Sequence, residues 1–445
     1  MNLQLEGYEM LKEKLNVPNN NAFSSFLPLR TKLAHYNFCW DSTLSYFVHA
    51  LYGKQLTSDS DKSFKDACED RFSAKLDEPD FWLVLEKMYF DNEQLFKISP
   101  ELLVLKVLKG KVDTNSKKLG DMFVGLLNGL TLDSSSVNDL NFLEKEIKAE
   151  FDSFYVSGKS KTTLKTEPAY LPFLSELFKQ DLQFLNKRPH YLLNNFNSVI
   201  RLYGFLYISQ MALNIKNWTD GAPSSKPCFF IIDNEKASDE RSQVKSFGYN
   251  QLHEYLEYLF PYLFMNEAIQ PKGEVKPLWQ LFESINESDV SQLNQFGRDF
   301  VEDRMQRKWY NIEQNWLDSS DKKEVFQQLL SLSHAQFDKK KGDLTEYNDN
   351  VVKGTLGNIL NPFIQRRGRA GQVLTFNQDY IVLLTNLAIG ERDKLRFHEI
   401  IKEFEARGVF FDKQSQQSLI DFYERMGNVE RMSDSGDAVY VRKTV

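Results

Sequence analysis

Cysteine is scarce in this sequence. Its 445 residues include only Cys39, Cys68 and Cys228, far apart and without a CxxC pair. That excludes a disulfide framework or a zinc ribbon and favours a reducing compartment, so a cytoplasmic location is expected. Long apolar runs are missing too. The richest, LHEYLEYLFPYLFM, is broken by His253, Glu254, Glu257 and Pro261, and is too short and polar to cross a bilayer. The six histidines show no metal-ligand spacing, and no bound cofactor is expected. A basic excess is lacking as well: the net charge is -7 and the pI about 5.6. No global field draws this chain onto nucleic acid, so any DNA contact must be a local patch or come through a basic partner.

What is abundant is aromatic side chain, 13% of residues, with 35 Phe and 19 Tyr. Well-filled interiors or partner surfaces follow from that, and disorder does not. Most of the chain has helical periodicity, so the expected fold class is mainly α. The N-terminal MNLQLEGYEMLKEKLNV carries charge through its apolar positions, as an amphipathic helix does and a signal peptide does not. Leu44, Phe47, Val48 and Leu51 mark a helix after Asp41. Phe81, Trp82, Leu85, Met88 and Tyr89 mark another, and a third runs from Pro100. The stretch Gly110 to Gly120 reads as a loop, as does Ser134 to Asp139. One short apolar run, CFFIID, reads as a buried strand. The expected division is an N-terminal helical domain (1–120), a central helical domain (121–335) with that one strand near 228–233, a basic linker (336–372) and a C-terminal domain (373–445).

The C-terminal region carries three helical stripes. Asn377, Asp393 and Asp412 are the expected caps, and Gly390, Gly408 and Gly427 the expected stops. Only GVFF separates the second and third helices. A hairpin follows, with Val439 and Val441 inward and Tyr440 and Arg442 outward. Three helices plus a β-hairpin is a winged-helix layout, and such domains bind DNA or dock proteins. Lys413, Gln414, Gln416 and Gln417 occupy the first turns of its third helix, where base readers sit. Arg431, Arg442 and Lys443 could reach phosphates from the wing. Asp421 and Glu424 on the same helix oppose that, so weak DNA binding in isolation is expected.

Just before this domain stands QRRGRAGQ. It nearly spells the arginine motif of superfamily-2 helicases, with Gln372 where arginine is usual. Planar, permanently charged guanidinium groups suit phosphate contact, so Arg366, Arg367 and Arg369 are candidates for DNA or for a nucleotide on a partner ATPase. A helicase also needs a P-loop. The nearest match, SFYVSGKSKTT, offers Gly158, Lys159 and Ser160, but Ser153 replaces the first glycine and the preceding residues read as helix. A divergent Mg²⁺ nuclease would use Asp233 and Glu235, with Lys236, Asp239 and Glu240 nearby. The adjacent Glu-Lys pair lacks the spacing that puts both on one strand face. Cys39 with His35 or His49 lacks an orienting third group, so a buried structural cysteine is the expectation.

At both ends the sequence resembles a known family. YIVLLTNLAIG, and RFHEIIKEFEARGVFFDKQSQQSLIDFYERMGNVERMSDSGDAVYVRKTV after it, are similar to the end of the DptG (DndG) family. LPLRTK followed by FCWDS is similar to its start. The resemblance implies a subunit of a DNA phosphorothioation-dependent restriction system, which restricts foreign DNA lacking the sulfur mark. It implies DptF-like and DptH-like ATPase/helicase partners and double-stranded DNA within the complex. No catalytic residues follow from it.

Overall fold

The computed structural model describes residues 28–56, 63–76, 78, 80–107, 112–133, 140–157, 169–236, 241–271, 275–306, 315–337, 344–432 and 438–445. The expected N-terminal amphipathic helix, the Ser134–Asp139 loop and the turn 338–343 fall outside these residues. The described chain is mainly helical.

In the N-terminal part, α1 (Trp40–Tyr52) buries Leu44, Phe47, Val48 and Leu51 and ends on Gly53, where φ is 58°. The helix α2 (Phe64–Ser73) opens with a Ser63–Asp66 capping box. Next, α3 (Phe81–Leu85) widens into a π turn, Glu86–Asp91. The stretch from Pro100 forms a 3-10 helix, Pro100–Val107. The expected loop at Gly110 to Gly120 is corrected. Asp113 accepts hydrogen bonds from the N–H groups of Asn115 and Ser116, so α4 (Thr114–Leu127) begins inside the polar stretch. After α5 (Phe142–Phe154), β1 (Lys54–Leu56) and β2 (Tyr155–Ser157) pair antiparallel.

Two helices with proline in their first turn follow, α6 (Pro172–Asn186) and α7 (Pro189–Asn214). From Leu202 to Asn214 every residue of α7 is buried, so it is enclosed rather than amphipathic. The strand β3 (Cys228–Ile232) comes next, then α8 (Ser242–Phe247), α9 (Tyr249–Ala268), α10 (Leu278–Ser284), α11 (Val290–Gln306), α12 (Lys322–Ala335) and α13 (Thr345–Thr355). The C-terminal part runs β4 (Ile364–Arg366), β5 (Gln372–Phe376), α14 (Gln378–Ile389), β6 (Lys394–Arg396), α15 (Phe397–Ala406), β7 (Val409–Phe411), α16 (Lys413–Met426), β8 (Val429–Met432) and β9 (Ala438–Arg442).

The single expected strand is therefore the centre of a sheet. Its order is β4-β5-β3-β7, with β3 parallel to both β5 and β7 and β4 antiparallel to β5. Burial on both faces explains why CFFII is an unbroken apolar run. Phe230 and Ile232 face the main core, where Phe230 meets Phe205 of α7 at 5.4 Å between ring centroids. Phe229 and Ile231 face a smaller cluster with Val244 and Val373. GVFF, expected as a mere link, supplies β7, and Asp393 does not cap α15, because β6 intervenes and Arg396 holds the N-cap position. The basic linker is also corrected in part: Val351, Val352, Ile359, Leu360 and Phe363 are buried in the main core. That core is contiguous from Leu29 to Val441, so the expected domain borders do not separate independent cores.

Polar side chains fasten the C-terminal elements to the body. Gln210 of α7 donates to Lys226 O (2.9 Å) and accepts from Lys226 N (2.8 Å), holding the approach to β3. It also lies against Gly408, just before β7. Gly408 has φ of 85°, and a Cβ there would come within 2.2 Å of Gln210 Nε2, so only glycine fits. Beside it, Arg407 forms a buried ion pair with Asp181 of α6, Nη2 to Oδ1 at 2.7 Å and Nε to Oδ2 at 3.2 Å. Tyr203 of α7 donates to the same carboxylate at 2.5 Å. Burial opposes the Arg407 charge, but the Asp181 carboxylate outweighs it and pushes the guanidinium's proton affinity up.

Removing one partner of such a pair strands a charge in the interior. Arg407→Leu is expected to destabilise the protein by about 3–5 kcal/mol. The double substitution Asp181→Leu with Arg407→Leu recovers much of that loss. Denaturant unfolding followed by circular dichroism checks both; equal loss in single and double variants contradicts the pairing.

Candidate functional site

The carboxyl ends of parallel strands are where an open sheet offers backbone groups and loop side chains to a ligand. Here Asp233, Asn234 and Glu235 follow β3, and Asp412 follows β7. Arg241, the residue before α8, reaches into this end. Its Nη1 donates to Glu235 Oε2 (2.5 Å), its Nε to Asp412 Oδ2 (2.8 Å), and its Nη2 to Asp412 Oδ1 (2.5 Å) and Ser415 Oγ (2.6 Å). Ser415 Oγ donates to Glu235 Oε2 at 2.9 Å, and its backbone N–H donates to Asp412 Oδ1 at 2.9 Å. The planar fork of arginine is thus filled bidentately by one carboxylate and singly by another.

Burial disfavours the Arg241 charge, yet the bonds to Asp412 and Glu235 prevail and its proton affinity rises. Burial likewise works against the Asp412 carboxylate, but Arg241 and the Ser415 N–H hold its pKa below the ordinary range. Neither Arg241 nor Ser415 stood out in the sequence. The signal for Arg241 is slight, an arginine among polar residues; Ser415 sits at the third helical position after an Asp cap, where an N–H bond to that cap is expected.

The arginine motif is a β-hairpin end. Gly368 and Gly371 take φ of 46° and 74°, and Arg367 N donates to Gly371 O at 2.7 Å, which closes the turn between β4 and β5. Arg366 and Arg369 are exposed, whereas Arg367 is half-buried and its Nη2 donates to the Asp233 carbonyl. Ala370 packs on the Phe229–Ile231 face of the sheet, as does Phe410 of β7. The hairpin and the start of α16 are therefore fixed to the same strand, from opposite sides. Gly158, Lys159 and Ser160 lie outside the described residues, as do Asp239 and Glu240.

The sequence candidates on α16 separate. Lys413, Gln414 and Gln417 differ from Gln416 in direction: Lys413 and Gln414 are exposed. Gln416 is turned inward and donates to Phe411 O at 2.9 Å, so its amide holds the end of β7. Gln417 donates to Asp421 Oδ1 at 3.0 Å. The wing cations are engaged: Arg431 pairs with Glu424, Arg442 with Glu430, and Lys443 donates to Gly390 O at 3.1 Å. Cross-strand register explains one pairing, since Lys394 opposite Arg442 and Tyr440 opposite Glu430 bring both cations to Glu430. Lys236 is exposed beside Glu235, whose Oε2 is already occupied by Arg241 and Ser415. A guanidinium stands where a nuclease would hold its metal, and among the described residues no three His, Cys, Asp or Glu side chains cluster as ligands.

Cys39 corrects another expectation. It is exposed rather than buried, at the N-cap of α1. His49 lies near the far end of that helix, about 15 Å away by helical rise, so the two cannot form a dyad. No helix among the described residues is long and apolar enough to cross a membrane. No protein-family model matches the chain, and no curated protein sequence matches it.

Because the Asp412 pKa is lowered by folding, its stabilising contribution is present above the unfolded carboxylate value, near ~4, and is lost as pH falls through the lower folded value. Asp412→Asn is therefore expected to be markedly less stable than wild type at about pH 6, with the difference shrinking below about pH 4. Unfolding midpoints measured from about pH 6 to about pH 3 give the result; a gap independent of pH rules out this origin.

Proposed function

We propose that this chain is a non-catalytic, DNA-contacting scaffold subunit, whose C-terminal unit is a winged helix. In this reading α14, α15 and α16 are its three helices, β8 and β9 its wing, and β6 completes the three-stranded sheet β6-β9-β8. The third helix carries Lys413 and Gln414 at its exposed start, and the exposed arginines Arg366 and Arg369 lie on a hairpin of the sheet to which that start is also joined.

One observation carries the reading. The segment after β3 is bonded on one side to the hairpin, through Arg367 and the Asp233 carbonyl, and on the other to the α16 start, through Arg241, Glu235 and Ser415. Exposed cations are thereby carried on two separate elements that are both bonded to one segment of the chain. Arg366, Arg369 and Lys413 then serve as phosphate contacts, which position a duplex without reading its sequence. The internal pairing of Arg431, Arg442 and Lys443 agrees with weak affinity in isolation and with DNA held mainly inside an assembly.

More particularly, we propose a subunit of a phosphorothioation-dependent restriction complex in the cytoplasm, scaffolding DptF-like and DptH-like ATPase/helicase partners. Support for this is the similarity of the two chain ends to the DptG family. The hold of Arg241 and Ser415 on Glu235 Oε2 favours the scaffold over the nuclease reading.

In the test, the chain is purified alone and with the products of adjoining genes, and duplex binding is followed by fluorescence anisotropy across a salt series. Replacing Arg366, Arg369 and Lys413 with Ala is expected to weaken binding and to reduce the salt slope by about 0.9 for each phosphate no longer neutralised. Arg367→Ala is expected to loosen the hairpin as well, because it frees the Asp233 carbonyl. Unchanged affinity and slope in the triple variant defeat the assignment of the site. ATP hydrolysis or Mg²⁺-dependent cleavage by the isolated chain, lost in Asp233→Ala, defeats the non-catalytic role.

A further inference from the structure

A second surface lies in the N-terminal part and is independent of the C-terminal cations. The α3 helix and its π extension bury Trp82, Leu85 and Tyr89. The same short stretch exposes Phe81, Val84 and Met88 along one line, with Leu83 beside them; Leu83 is 63% exposed and Val84 56%. Asn141 donates to Tyr89 Oη at 3.4 Å, which brings the start of α5 alongside, and there Phe142 is 58% exposed. Single exposed apolar residues are ordinary on a protein surface, but a group concentrated on two adjoining helix segments is not. The core cannot be the reason for them, because the opposite side of α3 already fills it.

The charge at the two ends of this stripe is of one sign. Glu78 and Asp80 precede the helix, and Asp91 and Glu93 follow it, all exposed. Among the described residues none of the four forms an ion pair; Lys87 is exposed between them, and Lys65, paired with Glu86, lies close enough to act on Asp91. Asp91 and Glu93 stand at the carboxyl end of the helix, where its dipole disfavours negative charge. An apolar stripe with exposed acids at both ends is complementary to an amphipathic helix that is apolar on one face and basic at its flanks. It is unsuited to an anionic lipid surface, which the acids repel.

We propose that the Phe81–Met88 face is a docking site for a basic amphipathic helix of a partner protein. The apolar face of that helix covers Phe81, Val84, Met88 and Leu83, and its lysines or arginines meet Glu78, Asp80, Asp91 and Glu93. The proposal stands whether or not the C-terminal unit contacts DNA.

The probe is a labelled Leu/Lys amphipathic peptide of about 18 residues, long enough to form a helix on binding. A Leu/Glu peptide of equal length is the control, and the full chain is titrated with each. The Leu/Lys peptide is expected to bind and the Leu/Glu peptide not. Leu83→Asp with Val84→Asp is expected to weaken binding about tenfold or more, the scale of a lost apolar anchor. Because that variant adds negative charge, capture by charge alone would instead become tighter. Asp91→Lys with Glu93→Lys is expected to weaken binding while leaving the stripe intact. All four positions are exposed, so thermal unfolding is expected to change little, and that is measured in parallel. Binding that is unaffected or strengthened in the Asp variant overturns the proposal. So does failure of the Leu/Lys peptide to bind. Sedimentation showing that this face pairs two copies of the chain, or flotation with anionic vesicles that needs Leu83 and Val84, assigns the surface to another occupant and overturns it as well.

Discussion

The hydrogen-bonded seating of β3 between β5 and β7 is the constraint on which the rest depends. A parallel strand cannot pair with its sequence neighbours through a tight turn, so both partners come from far along the chain. After β3 the chain must leave the sheet, build helices and return as β4 before β5 can form. The chain must then cross to the other side of β3 to lay down β7. Everything C-terminal to the sheet is oriented by these two returns. Gln210 and Gly408 show how close the fit is, since an α7 side chain braces the entry to β3 and leaves no space for a Cβ before β7.

Charge is used inside this framework as a fastener. Arg407 with Asp181 joins α15 to α6, and Arg241 with Glu235 and Asp412 joins the loop after β3 to α16. Buried ion pairs add little net stability compared with apolar side chains of the same shape, but they penalise any arrangement that separates them. Their effect here is to specify position. In this chain the start of α16 is pinned to a sheet in the body, which under the proposed function removes freedom that a bound duplex would otherwise have to restrict. The same region holds the Gln416 amide on Phe411 O and leaves Lys413 and Gln414 exposed.

The two proposed surfaces differ in physical character and in sequence origin. The C-terminal one has exposed guanidinium and ammonium groups on rigid supports. The N-terminal one has an apolar stripe between acids. A chain with a net charge of -7 can carry both only if its cations are concentrated locally. An adhesive role suits such segregation, since a scaffold needs separate faces that do not compete for one partner.

Much of the helical architecture was legible from residue spacing. The stripes of α1, α14 and α16, the Asn377 and Asp412 caps and the apolar run of β3 all rest on interactions within about one turn or one strand, and local sequence encodes these directly. The beginning of α4 was missed because Asp113 caps a helix whose first turn, TNSK, is polar and looks like a loop. The β7 strand was missed because three residues are too few to display a period, and β5 because Gln372 and Thr375 interrupt the apolar run that marks β3; what makes both strands is the distant edge of β3. Site residues divided in the same way: the exposed arginines and Lys413 were evident as charge, whereas the fixing roles of Arg241, Ser415 and Arg367 were not. By itself, then, the sequence determined the mainly helical character and those caps, Asn377 and Asp412, that act within one turn. Only the tertiary structure decided which strands pair and which cations remain exposed, because both depend on groups that meet in space while lying far apart along the chain.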